Sequence, residues 1–130
     1  MRVLPAVHRE RFRDQAWAAL VGTRYVVTPQ SNRMGYRLDG PVLTAPEEEL
    51  LSFVLVAGAV QVPPDGRPIL LMADHQTAGG YPVAAVVVSA SLPVAAQLAP
   101  GDEVTFEEIS IERALELRAG QREALDSLMS

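Results

Sequence analysis

The chain is 130 residues long, 48% hydrophobic and 21% charged, which is the length of one domain and enough apolar material for a packed core. It has no cysteine, so disulfides, thiolate metal sites and a cysteine nucleophile are excluded, and two distant histidines, His8 and His75, do not read as a metal cage. All 11 basic residues are Arg, so no lysine can serve as a base, a Schiff-base former or a carrier of biotin or lipoate.

The net charge of -5 is uneven. Residues 1–37 balance to +5, residues 38–112 to -10, and residues 113–130 to zero. An acidic middle with Arg67 as its one basic residue is a poor surface for nucleic acid, so none is expected as a partner. No apolar run approaches the roughly 20 residues needed to cross a bilayer, and Met1–Pro5 lacks the apolar stretch of a signal peptide. The expectation is a soluble cytoplasmic protein without a membrane partner.

In chain order, residues 6–21 read as a helix, with Phe12, Ala16, Trp17, Ala19 and Leu20 at helical spacing, Pro5 at its start and Gly22 at its stop. Short β-type runs follow. Tyr25–Thr28 ends at Pro29, and Tyr36–Leu38 ends at Asp39-Gly40-Pro41. Leu50–Val56 is apolar, and Ala59–Val62 continues beyond Gly58. Pro63-Pro64-Asp65-Gly66 is the strongest turn signal, because proline fixes φ and glycine accepts a positive one. Ile69–Ala73 and Val83–Ser89 are nearly all apolar, as strands buried on both faces or closing a barrel are. Val104–Ile109 alternates as a half-buried strand, and residues 111–129 form a terminal helix whose apolar side carries Ile111, Ala114, Leu115, Leu117, Leu125 and Leu128. The fold class is therefore mostly β, a small barrel or sandwich with an N-terminal and a C-terminal helix, spanning 1–130 as one domain.

No G-x-S-x-G elbow, phosphate loop or dinucleotide fingerprint occurs. Polar residues and glycines gather instead in three loops. The first, 28–41, carries Gln30, Ser31, Asn32 and Arg33, where a guanidinium suits a carboxylate or phosphate but a polar hairpin is the ordinary alternative. The second, 58–68, holds Gln61 inside a β-type run, where a buried amide needs partners. The third, 73–82, holds Asp74, His75, Gln76 and Thr77 before Gly79-Gly80, whose backbone amides can approach a developing oxyanion. A lone histidine such as His75 is ordinarily a surface residue.

The loops S-N-R-M-G-Y-R-L-D-G at 31–40, A-G-A-V-Q-V-P-P-D-G-R-P at 57–68 and D-H-Q-T-A-G-G-Y-P at 74–82 resemble the C-terminal half of the biotin-dependent carboxyltransferase family. That family is also called allophanate hydrolase subunit 2 and includes the C component of bacterial 5-oxoprolinase. The tail A-Q-L-A-P-G-D-E-V-T-F-E at 96–107 fits too, so the resemblance covers about residues 2–118. Ala78 stands where the family's loop has a second Thr, and Ser52–Gly58 differs from the family's S-E-G-V-V-P-G.

The resemblance implies cyclophilin-like β-barrels and a part of a longer protein, the N-terminal half of which is missing here. It implies ATP-dependent opening of 5-oxoproline to glutamate with partner subunits, or carboxyl transfer from carboxybiotin to urea in a urea carboxylase and allophanate system. Carboxybiotin and ATP would come through those partners, among them an allophanate hydrolase subunit 1-like protein that matches the B component of 5-oxoprolinase, and no metal site is expected. The residues carried over as catalytic are Arg33 for a carboxylate, Gln61 and Gln76 as hydrogen donors and Asp74 as an orienting acceptor. Ser31, Asn32, Gly79, Gly80 and Tyr81 are carried over as substrate-binding. A non-catalytic module is the alternative, docking on a partner such as a histidine kinase through apolar surface at Phe53, Val54 and Leu55. Peptidyl-prolyl isomerase activity rests on fold analogy alone, which does not carry function.

Overall fold

The computed structural model describes residues 1–44, 53–76 and 78–129, without the side chains of residues 53, 54 and 129. Alternation along the strands sets their faces. Strand β2 (Arg24–Val27) buries Tyr25 and Val27 and exposes Arg24 and Val26. In β3 (Gly35–Asp39), Tyr36 and Leu38 point inward while Arg37 and Asp39 face out. By contrast, β5 (Ala59–Gln61) is buried at all of its positions, Gln61 included.

The remaining strands are β1 (Arg2–Pro5), β4 (Phe53–Val54), β6 (Ile69–Leu71), β7 (Ala78–Gly79), β8 (Val83–Val87), β9 (Glu103–Thr105) and β10 (Glu107–Glu108). Eight of them form one sheet in the order β10-β1-β8-β5-β6-β3-β2-β9, antiparallel except for the β1–β10 pair. The two ends of that order, β9 and β10, are one stretch of chain interrupted only by Phe106. The sheet is thereby nearly closed into a barrel, and the fold is mostly β. Phe106 fills the interior beside Tyr25, with ring centroids 6.2 Å apart. The Tyr25 hydroxyl donates to the Pro41 carbonyl at 2.9 Å, and burial pushes its pKa up to about 12. A two-stranded ribbon of β4 and β7 stands apart from the barrel sheet.

The inner cluster contains Val3, Leu20, Tyr25, Leu38, Val60 and Leu70 among others. A smaller cluster of Leu55, Ala59, Leu71 and Val83 covers the opposite face of β5 and β6. Leu55 is thus buried rather than free for docking. Residues 50–52 of the expected strand over 50–56 lie outside the described residues.

The helix expected over 6–21 is shorter and starts later. Residues 2–5 are a sheet strand, and Ala6 and His8 donate backbone N–H bonds to Ala84 and Val83, prolonging the ladder with β8. The His8 ring also accepts the Val83 N–H at 2.9 Å, and burial lowers its pKa. After a 3-10 turn at Arg9–Arg11, helix α1 spans Asp14–Gly22. Phe12, Trp17 and Leu20 are buried as their spacing predicts, so the periodicity reports burial correctly while tertiary pairing decides the backbone before residue 12. A short α2 (Leu92–Ala95) follows β8. Helix α3 (Ile111–Met129) has the expected span, but Ile111, Leu115, Leu125 and Leu128 are exposed, so its apolar side is not buried along its length. No helix among the described residues is long and apolar enough to cross a membrane.

Candidate functional site

The cross-strand register creates the site. Arg37 pairs with Ile69 across β3 and β6, and Ile69 pairs with Gln61 across β6 and β5. These three residues form a row on the sheet face opposite the core, because Tyr36, Leu70 and Val60 form the neighbouring row that points inward. A cleft of about 250 Å³ lies over this outer row, with Gln30, Asn32, Gln76 and Tyr81 as its polar walls. Leu55, Leu71 and Met34 add apolar lining. All three polar loops therefore meet at one place, on the flank of the barrel rather than at its end.

Gln61 is the most constrained of these side chains. It is 7% exposed, it reaches the cleft, and its carboxamide makes no hydrogen bond among the described residues. Its amide atoms are not among the side-chain atoms buried without a partner, so the group keeps contact with the cleft and is available to a ligand there. Gly79 backs it closely: a Cβ there would sit 3.0 Å from Gln61 Nε2 and 2.9 Å from Leu55 Cδ1. The glycine of the third loop thus leaves room for Gln61.

Asn32 has one end committed. Its Oδ1 accepts the Met34 N–H at 2.9 Å, inside a tight hairpin in which Asn32 and Gly35 exchange backbone hydrogen bonds. What it can offer a ligand is its amide nitrogen, a donor. Arg37 carries the cleft's guanidinium, and it has no ion pair among the described residues. The site can accordingly donate hydrogen bonds to a carbonyl oxygen from neutral amides and hold a carboxylate on one cation.

Arg33 and Asp74 lie outside the lining. They pair with each other at 3.2 Å, with side chains 89% and 55% exposed. Beside them, Asp74 and Met72 donate backbone N–H bonds to the Arg33 and Met34 carbonyls. The pair thus clips the first loop to the third. Ser31 is used locally: its hydroxyl accepts the Arg37 N–H at 2.9 Å and donates to the Arg37 carbonyl at 3.3 Å. Gly79 lies in an extended strand, Gly80 is exposed outside the lining, and His75 sits beside the cleft with Nδ1 at the Gln76 carbonyl. Thr77 lies outside the described residues.

Sequence reasoning names Gln30 in the first polar loop but misses Met34, Arg37, Leu55, Ile69 and Leu71 as lining residues. For Arg37 a signal exists: between inward Tyr36 and Leu38, an alternating strand must point it outward.

The family described as "Carboxyltransferase domain, subdomain A and B" matches residues 1–108. The chain is 40% identical over 129 residues to the C component of 5-oxoprolinase from Escherichia coli strain K12, covering 98% of this chain and 42% of that protein. It is 38% identical to the C component of 5-oxoprolinase from Haemophilus influenzae with the same coverage. Among solved structures, the K. lactis urea amidolyase superposes with a TM-score of 0.88 at 27% identity, over 98% of this chain and 8% of that one. The chain spans under half the length of the curated relatives it matches, two of which are named as subunits. With the family match running through every strand of the barrel and all three loops of the cleft, this chain belongs to the carboxyltransferase domain family, subdomain A and B.

Proposed function

We propose that this chain is the barrel part of an enzyme like the C component of 5-oxoprolinase, working with partner subunits on a small cyclic amide that bears a carboxylate. The observation that carries the reading is Gln61, a largely buried residue that lines the cleft and whose carboxamide makes no hydrogen bond among the described residues. A lactam carbonyl gains negative charge as it is attacked, and preorganised neutral donors stabilise that charge without titrating. Gln61, Gln76 and the amide nitrogen of Asn32 take that role here, Gln30 adds a further amide, and Tyr81 walls the cleft. Arg37 holds the substrate carboxylate by bidentate hydrogen bonding, the task the sequence alone assigns to Arg33. The Arg33–Asp74 pair positions the loops instead.

The reaction class is hydrolysis of the lactam C–N bond, coupled to ATP hydrolysis on partner subunits. The same amides complement a ureido group, which offers one carbonyl oxygen and two N–H groups. Gln61, Gln76 and Asn32 would hold biotin there, which when carboxylated supplies a transferable carboxyl. Carboxyl transfer to urea is the second reading, favoured by the barrel's likeness to urea amidolyase. Arg37 serves both readings, since the carboxylate of a lactam acid and that of carboxybiotin would each meet its guanidinium, and the choice of substrate separates them.

The test is substrate-dependent ATP hydrolysis by the assembly reconstituted with its partners. The expected result is stimulation by 5-oxoproline, reduced about tenfold or more by Arg37→Gln through loss of a charge-assisted hydrogen bond. Stimulation by urea alone selects the second reading, and full activity of both Arg37→Gln and Gln61→Leu removes the cleft from catalysis.

A further inference from the structure

Behind Arg37 lies a second cavity of about 310 Å³. It shares Gln30, Arg37 and Ile69 with the cleft and adds Thr28, Asp65 and Arg67. Its outer wall is the proline-rich turn, and that wall is rigid. Gly66 has φ +78°, and a Cβ there would meet the Leu43 carbonyl oxygen at 2.5 Å. Its N–H donates to the Pro63 carbonyl at 2.9 Å, while its own carbonyl accepts the Leu43 N–H at 2.8 Å. The cavity is thus formed before any ligand arrives.

The polar groups inside it are of two kinds. The Thr28 hydroxyl is buried with no hydrogen-bond partner among the described residues, an unspent donor on a residue whose backbone N–H donates to the Arg37 carbonyl at 2.9 Å. Asp65 is the opposite charge: its Oδ1 accepts the Arg67 N–H at 3.0 Å, which leaves Oδ2 open. Arg67 itself is engaged with Asp39 at 3.2 Å. A simple anion here would meet Arg37 and also the charge of Asp65. A molecule with a carboxylate and an ammonium group satisfies both.

We propose that this second cavity binds an acidic α-amino acid as a zwitterion, with its carboxylate on Arg37 and the Thr28 hydroxyl and its ammonium on Asp65. The identity of that ligand rests on the lactam reading above, because hydrolysing a lactam acid turns its amide nitrogen into an amine and creates a second carboxylate. The closed form suits the amide-lined cleft, whereas the opened form suits the cavity with the carboxylate side chain. Arg37, common to both, is the pivot on which the ligand passes from one to the other.

The experiment is a nuclear magnetic resonance titration of the full chain with L-glutamate, with glutarate, which lacks the ammonium, and with 5-oxoproline. L-glutamate is expected to shift the backbone signals of Thr28, Gly66 and Arg67, and 5-oxoproline those of Gln61 and Gln76. Asp65→Asn keeps an acceptor for the Arg67 N–H, and it is expected to weaken L-glutamate about fivefold, the effect of losing one exposed ion pair, while glutarate binds as well as before or more tightly because a like charge is removed. Thr28→Val is expected to weaken both ligands by a similar factor. The proposal is overturned if L-glutamate shifts only the signals around Gln61 and Gln76 or shifts none. Equal weakening of glutarate and L-glutamate by Asp65→Asn overturns it as well. If 5-oxoproline leaves the cleft unmoved while L-glutamate still shifts Thr28 and Arg67, the lactam reading fails and the cavity stands as an amino-acid site.

Discussion

Two rows of three residues, one position apart on the same strands, divide the work of this molecule. Tyr36, Leu70 and Val60 lie inside the barrel, with Leu70 and Val60 fully buried. Arg37, Ile69 and Gln61 lie on the other face and floor the cleft. Backbone, register and neighbours are common to the two rows, so the difference is one of side-chain parity alone. The inner row belongs to the main core, while on the outer row Ile69 packs against the smaller cluster and Arg37 and Gln61 are left for recognition.

That division can be broken or sharpened by substitution. The largest effect is expected from Leu70→Ala on the inner row, a loss of about 2–5 kcal/mol from transfer and cavity terms. A thermal melt should fall by roughly 10 °C or more, and a melt within a few degrees of the parent would mean that the inner row does not carry the core. Arg37→Gln should leave the melt almost unchanged while 5-oxoproline binding, read by calorimetry, weakens about tenfold or more. Between these lies Gly79→Ala, whose new methyl must displace Leu55 and the Gln61 amide; we expect about 1–3 kcal/mol of destabilisation together with weaker binding. If binding stays intact in a destabilised variant, Gln61 is not held by that glycine. Gln61→Leu should weaken binding by roughly three- to tenfold and leave the melting temperature almost unchanged, since the amide it removes makes no hydrogen bond among the described residues and lines the cleft.

The smallest effect is a pH dependence confined to the inner face. Tyr25 has its pKa raised to about 12 by burial, so the folded state holds that proton more tightly than the unfolded chain does. Its contribution is complete below the ordinary tyrosine value of about 10 and is lost as pH rises through about 12. Denaturant midpoints measured across that window should decline in the parent and decline less in Tyr25→Phe; parallel curves would assign the alkaline loss to other groups. His8 has the opposite sign. Its lowered pKa means that stability is present above the ordinary histidine value of about 6.5 and is lost on acidification below it.

Most of the barrel is legible in the sequence because its strands carry their faces there. Tyr25–Val27 and Tyr36–Leu38 alternate, and the unbroken apolar run at Val83 announces a strand covered on both sides. The segment before residue 12 is not, since its helical spacing competes with a ladder to β8 that only the fold supplies. Phe106 misleads in a similar way: Val104–Ile109 alternates as one strand, yet the chain crosses there from β2 to β1 and the ladder divides. At the site, the loops point to Gln61, Gln76, Asn32 and Tyr81, because amides and glycines between apolar strands are conspicuous. They do not point to Arg37, since a strand arginine looks like an ordinary solvated residue until its neighbours across the sheet are known. Arg33, in the first polar loop, is spent on Asp74.

The stretch from Glu103 to Glu108 supplies both ends of the strand order, pairing with β2 on one side of Phe106 and with β1 on the other. Until the ribosome has delivered it, β1 and β2 each present a bare row of amides and carbonyls, the kind of edge that recruits foreign strands. The clasp therefore follows every other barrel strand in chain order and shuts two aggregation-prone borders in a single event. Shortening it should harm yield in the cell more than its six side chains alone would account for.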